Sequence, residues 1–262
     1  MSGRLAGKRA VVLGVAPGNL GATLVRRFIA EGAKVAALGR RADAVKAVAD
    51  ESGALAFTCD LNDLPSIDKA VADAAAAMGG LDIGVNSTGW GLLKPFLETD
   101  EQDLLQMSQI QFVGPYRFFQ GLVKAMKDGG SIIQISSVTA TIMMDNHAAY
   151  QGTKAGMDHI IRCIANEFGV QGIRANSVAS GGIADTPMSA GGLNFDAVRK
   201  LYEREIPLGR PGTSDDVADA VIWLAGDESR YITGQTIHSS GGQVLRRNPS
   251  LPEIFAAFGA GE

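Results

Sequence analysis

Short runs of apolar, β-branched residues alternate along the chain with longer runs whose apolar positions recur every three or four residues. "RAVVLGV" at Arg9–Val15 has the composition of a buried strand and ends beside a glycine. In "ATLVRRFIAEG" (Ala22–Gly32) the apolar positions follow helical spacing, and Gly32 stands where helices commonly stop. "AKVAALG" (Ala33–Gly39) predicts a second strand, Arg41–Ser52 a charged helix and "GALAFTCD" (Gly53–Asp60) a third strand. An alanine-rich helix at Ser66–Met78, a fourth strand at Leu81–Ser87 and one long helix at Glu101–Met126 come next. Then follow a strand at Gly129–Ser137, a helix opened by Tyr150, a strand at Gly172–Ser180, a helix at Ser214–Leu224 and a last strand at Gln235–Ser239.

The strand runs are apolar throughout, without the in-and-out alternation of a half-exposed sheet. Burial on both faces of a parallel sheet explains that pattern. The expected fold is α/β, a doubly wound, mostly parallel seven-stranded Rossmann-type sheet in three layers, forming a single domain over 1–262. "ADTPMSAGGLNFDAVRKLYEREIP" (Ala184–Pro207) breaks the alternation with proline, glycine and short helical pieces. A segment placed there, at about 184–212, is expected to cover the crevice at the strands' carboxyl ends. The tail at 246–262 carries an amphipathic stretch, Leu251–Phe258, which suits packing on its own domain or against a second subunit equally well.

Composition removes several function classes. Net charge is -4, and the nearest approaches to a basic run, at Gly39–Asp43 and Arg246–Arg247, are too short to track a phosphate backbone, so nucleic acid is not an expected partner. Cys59 and Cys163, the only cysteines, form no disulfide framework and no zinc-ligand pattern, and read as small buried hydrophobes. No metal is expected. The first residues lack the apolar run of a signal peptide, and no stretch approaches 18 uncharged apolar residues. The expectation is a cytoplasmic protein without a membrane span.

The turn after the first strand, "LGVAPGNLGAT", sets Gly14, Gly18 and Gly21 around Asn19 and Leu20. Glycines at such a junction let a pyrophosphate approach the backbone and rest on the helix N-terminus. A turn without a ligand is the competing reading, because glycine supplies 33 of 262 residues. The second strand ends in Gly39, Arg40 and Arg41 instead of an acidic residue. An arginine fork suits a 2′-phosphate, so NADP is the expected cofactor, with NAD the alternative. Asp60 is placed to meet an adenine amine or to cap the following turn, and Asn86 to meet the cofactor or to tie two strand ends.

Reducing a carbonyl with a nicotinamide needs a proton donor for the oxygen. Tyrosine donates well only when its pKa, ordinarily near 10, is tuned by a neighbour. Tyr150 and Lys154 lie one helical turn apart on one face, and Ser137 closes the preceding strand where it faces the crevice. Each residue alone has an ordinary structural explanation. All three behind a glycine-rich first turn form a constellation.

The ordered segments "CDL", "NSTG", "SS", "YQGTK", "IRANSVASG" and "YITGQTIHSSGG" make the chain, from Leu5 to Leu245, resemble the classical short-chain dehydrogenase/reductase family. The resemblance implies Tyr150 as general acid/base, Lys154 as binder of the nicotinamide ribose and tuner of the tyrosine, and Ser137 as the group that polarises the carbonyl. It also implies Gln111, where the family has asparagine, as holder of a relay water. Leu61, Asn86, Gly89, Ile183 and Thr186 are implied at the cofactor, and homotetramers built through the two long helices are common in the family. Besides Gln111, the chain departs from the family's pattern at the glycine turn, where Gly18 and Gly21 enclose two residues instead of one, at Ser87 in place of an asparagine, at Ser180-Gly181 in place of Pro-Gly and at Ser240 in place of an aspartate. Trp90, Met143, Met144 and Met188 are the candidates for an apolar substrate pocket. The resulting expectation is an NADP(H)-dependent oxidoreductase interconverting a ketone and a secondary alcohol. Two alternatives stay open: a dinucleotide-binding relative acting through protein contacts, and an epimerase on the same fold.

Overall fold

The computed structural model describes residues 3–259, apart from the side chains at 190 and 191. Residues 1–2 and 260–262 of the expected domain and tail lie outside the described residues.

Seven strands build one sheet: β1 (Arg9–Leu13), β2 (Lys34–Gly39), β3 (Leu55–Thr58), β4 (Ile83–Asn86), β5 (Gly130–Ser137), β6 (Ile173–Ser180) and β7 (Thr236–Ser239). Their order is β3-β2-β1-β4-β5-β6-β7, and every pairing is parallel. Among the described residues ten α-helices connect and flank them: α1 (Leu20–Ala30), α2 (Ala42–Ser52), α3 (Leu64–Met78), α4 (Glu101–Ser108), α5 (Gly114–Ala125), α6 (Ala148–Phe168), α7 (Pro187–Leu193), α8 (Asp196–Glu205), α9 (Ser214–Ala225) and α10 (Leu251–Gly259).

Alternation along a strand explains the three layers. Ala10 and Val12 of β1 point into a core shared with α1, α2 and α9, while Val11 and Leu13 point into a second core shared with α3, α5 and α6. The chain winds outward from β1 to β3 and returns to place β4 on the other side of β1. That reversal leaves a crevice outside the carboxyl ends of β1 and β4, where ligands bind in open α/β sheets.

The helix expected as one piece at 101–126 is broken. Its middle, Gln109–Val113, is a π-turn between α4 and α5. Pro115 has no N–H to give the carbonyl four residues earlier, so a regular helix loses a bond there. The turn carries Gln111 into the interior.

The 184–212 excursion folds as α7 and α8, and α10 packs on α8. Leu251 and Ile254 join Val198 in a small separate core with Met144, Leu201 and Tyr202. Phe258 meets Phe195 edge-on with ring centroids 4.9 Å apart. The amphipathic stretch of the tail therefore packs on its own domain.

Candidate active site

The crevice encloses about 720 Å³. Its floor is the turn after β1, where Asn19 caps α1: Oδ1 accepts from the Ala22 N–H at 3.0 Å, and Nδ2 donates to the Gly14 carbonyl at 2.8 Å. Gly14, Asn19 and Leu20 line the space, as do Val15, Ala16 and Pro17. Gly18, with φ +74°, and Gly21 do not. Gly21 works inward. A Cβ there would stand 2.6 Å from the Gly14 carbonyl oxygen and 2.9 Å from Ser87 Oγ, so helix and strand meet this closely only without one. Ser87, the family-pattern substitution, donates its hydroxyl to the Leu13 carbonyl at 2.7 Å and ties β4 to β1.

At the end of β2, Gly39 is required by the same logic, since a Cβ would meet the Val15 carbonyl oxygen at 2.6 Å. Beyond it Arg40 and Arg41 line the crevice mouth with exposed side chains, and neither makes an ion pair among the described residues. Asp60 and Leu61 line the adjacent wall. Asp60 also accepts from the Asn62 N–H at 2.9 Å, so lining and turn-capping coexist in one side chain. Asn86 is turned away: Nδ2 donates to Gln134 at 2.8 Å, and Oδ1 accepts from the Thr88 hydroxyl at 2.6 Å. Gly89, Trp90, Ile183, Thr186 and Met188 complete the far wall.

Tyr150 and Lys154 of α6 reach the crevice together, both buried. Lys154 Nζ lies 5.6 Å from the Tyr150 ring centroid and donates to the carbonyls of Ile135 at 2.9 Å and Thr88 at 3.2 Å. Burial pushes the lysine down to about 8, against the pull of Asp158. Burial also pushes the tyrosine up to about 12, and Ser137 draws it back. Low polarity drives both toward neutrality, and two carbonyls engage the ammonium.

Ser137 is buried at the end of β5, 2.9 Å from the Thr139 hydroxyl. Gln111 sits behind the crevice wall, its Nε2 2.7 Å from Met107 Sδ and 3.1 Å from the Thr153 hydroxyl. Its Oε1 is buried without a hydrogen-bond partner among the described residues, and a Cβ on Gly89 would lie 3.8 Å from that oxygen and 3.9 Å from Lys154 Nζ. An unsatisfied acceptor and an ammonium thus converge on one point beside the crevice.

Met143 is 69% exposed and Met144 belongs to the small core under α10, so neither lines the crevice. Two residues escape a reading from sequence. Asp158 lies one turn beyond Lys154 on the buried face of α6, accepts from the Ser136 hydroxyl at 2.7 Å and is raised by burial. The i+4 spacing from the lysine was a usable signal for it. Thr88 holds Lys154 through its backbone, which leaves no trace in sequence.

A family model described as Enoyl-(Acyl carrier protein) reductase matches residues 14–243. The structure resembles that of a short-chain type dehydrogenase/reductase from Mycobacterium ulcerans, with TM-score 0.89, 27% identity and coverage of 94% of this chain and 92% of that one. The chain belongs to the short-chain dehydrogenase/reductase family. Similar members include a glucose 1-dehydrogenase of Gluconobacter oxydans, 32% identical across 92% of this chain and 94% of that protein. A 3beta-hydroxysteroid dehydrogenase 1 of Eggerthella lenta is 34% identical across 92% of this chain and 95% of its own. As a family member the protein is an NAD(P)-dependent oxidoreductase of small carbonyl or alcohol compounds. Its crevice fits the dinucleotide: a helix N-terminus for the pyrophosphate, exposed arginines at one end and a buried tyrosine–lysine pair at the other. Among the described residues no helix is long and apolar enough to cross a membrane.

Proposed function

We propose that the protein is an NADP(H)-dependent oxidoreductase that interconverts a ketone and a secondary alcohol on a largely apolar small molecule. The observation that carries this reading is that Tyr150 and Lys154 line the same crevice as the turn after β1 and the Arg40–Arg41 pair. The nicotinamide supplies or accepts the hydride. Tyr150 donates a proton to the carbonyl oxygen during reduction and withdraws it during oxidation. Ser137 holds that oxygen, and the Lys154 ammonium stabilises the phenolate whenever the proton has left. Gln111, through its unpartnered Oε1, holds a water beside Lys154.

Gly14, Gly18, Asn19, Leu20 and Gly21 form the pyrophosphate turn, and Arg40 reads the 2′-phosphate. Asp60 and Leu61 flank the adenine, Asn86 and Gly89 brace the ribose wall, and Ile183 and Thr186 meet the carboxamide. Trp90 and Met188 contact substrate beneath α7 and α8. The relative named for a 3beta-hydroxysteroid supports a bulky apolar alcohol, although the one named for glucose widens the class. Exposed Leu104 and Leu105 of α4, Val113 of the π-turn and Tyr116 of α5 support a homotetramer, which light scattering reads directly.

The test is a paired titration with NADPH and NADH followed by a panel of cyclic ketones and alcohols. Tenfold or tighter binding of NADPH, about 1.4 kcal/mol, with turnover of at least one panel member is expected. Tight dinucleotide binding without turnover of any would favour a member acting through protein contacts.

A further inference from the structure

His147 stands three residues before Tyr150 in "MDNHAAY", a stretch that reads as surface. The structure buries half of it. Asn146 is the one non-glycine among the described residues with positive φ, +57°, a conformation that short polar side chains tolerate. That turn brings the Asn146 carbonyl within 2.7 Å of the Lys94 N–H, on the loop after β4. It also sets His147 Nδ1 at 2.8 Å from the Leu92 carbonyl of the same loop. A carbonyl only accepts, so Nδ1 carries the proton and Nε2 of the neutral ring is bare. Burial lowers the imidazole pKa, which keeps the ring neutral at pH 7. This ring of fixed tautomer stacks on Tyr150, with centroids 4.4 Å apart and planes 29° from parallel.

We infer that His147 is a positioning residue for Tyr150. Pinned to the loop after β4, the imidazole fixes the plane of the phenol and thereby the line along which its hydroxyl meets the reacting oxygen. Tyrosine χ2 is a broad torsion that does not set this plane by itself. Misplacing a reacting group by about 1 Å costs on the order of 100-fold in rate. The inference rests on the reading of Tyr150 as the proton donor.

The test has two arms on the full-length, NADPH-bound protein. His147 is one of three histidines, so ¹⁵N-histidine NMR of the wild type, assigned with His147→Ala, reads it directly. The expected result at pH 7 is a neutral, Nδ1-protonated ring whose proton signals are displaced upfield by Tyr150 and return in Tyr150→Leu. In the second arm His147→Ala lowers kcat by about tenfold to 100-fold, with NADPH affinity and KM held within about twofold. His147→Phe, which keeps the plane and loses only the pin, recovers a substantial part of that rate. An Nε2-protonated or charged ring, an unshifted ring signal, or a His147→Phe no better than His147→Ala overturns the proposal. So does a His147→Ala enzyme at wild-type kcat beside an inactive Tyr150→Phe. Wild-type turnover in Tyr150→Phe overturns the reading of Tyr150 instead, and the NMR arm still reports on the stack.

Discussion

Replacing Lys154 with methionine should remove activity and make the protein more stable. The ammonium is almost wholly buried, and its pKa falls from an ordinary 10.5 to about 8. At about 1.4 kcal/mol per tenfold change in proton affinity, holding that charge inside costs about 3 kcal/mol at pH 7. Methionine has similar length and no charge to desolvate. Against the gain stand two lost hydrogen bonds. The Ile135 carbonyl keeps a donor, Gln134 Nε2 at 2.7 Å, so the main loss falls on the Thr88 carbonyl, about 1–2 kcal/mol. The net is a stabilisation of about 1–2 kcal/mol at pH 7, or roughly 2–8 °C in Tm for a chain of this size. The folded protein releases the Lys154 proton near pH 8 and the unfolded chain near 10.5. Between those values the unfolded state binds more protons, so raising the pH stabilises the wild type and not the variant. Urea denaturation of both proteins at pH 7 and pH 10 should therefore show the variant's advantage shrinking with pH. A variant less stable than wild type at pH 7, or a gap that ignores pH, would refute the reasoning.

Asp158→Asn removes the charge that holds the Lys154 pKa up, so the basic limb of the pH–rate profile should move to lower pH. An unmoved limb would detach Asp158 from the lysine. Arg40→Ala should weaken NADPH binding by about tenfold, roughly 1.4 kcal/mol, and leave NADH within about twofold. Calorimetric titration checks it, and equal losses for both dinucleotides would make Arg40 a general cation at the crevice mouth.

The seven strands are legible in sequence because burial on both faces leaves continuous apolar runs, and their helices because one face of each is apolar. The break at Gln109–Val113 was visible only as Gly114-Pro115, and helical periodicity carries across it without a signal. Tyr150 and Lys154 are recognisable since i,i+4 spacing fixes their common face before any tertiary contact exists. The stacking of His147 depends on a loop some fifty residues earlier, and no local pattern reports that approach. Met143 and Met144 show the converse limit. A methionine pair reads equally as pocket wall or as packing, and α10, far along the chain, decides that Met144 is packing. The tuning of the tyrosine by its lysine is an expectation from their spacing and from the family resemblance, to which the fold adds an opposing influence. Burial, a property of the whole fold, dominates both groups.

The central claim is that Tyr150 carries the proton in a dinucleotide-dependent interconversion of ketone and alcohol. Tyr150→Phe removes one oxygen and leaves the ring on His147. Measured on the best panel substrate, turnover should fall by on the order of 10²–10⁴-fold with NADPH affinity within about twofold of wild type. A Tyr150→Phe enzyme turning over at the wild-type rate would contradict the account.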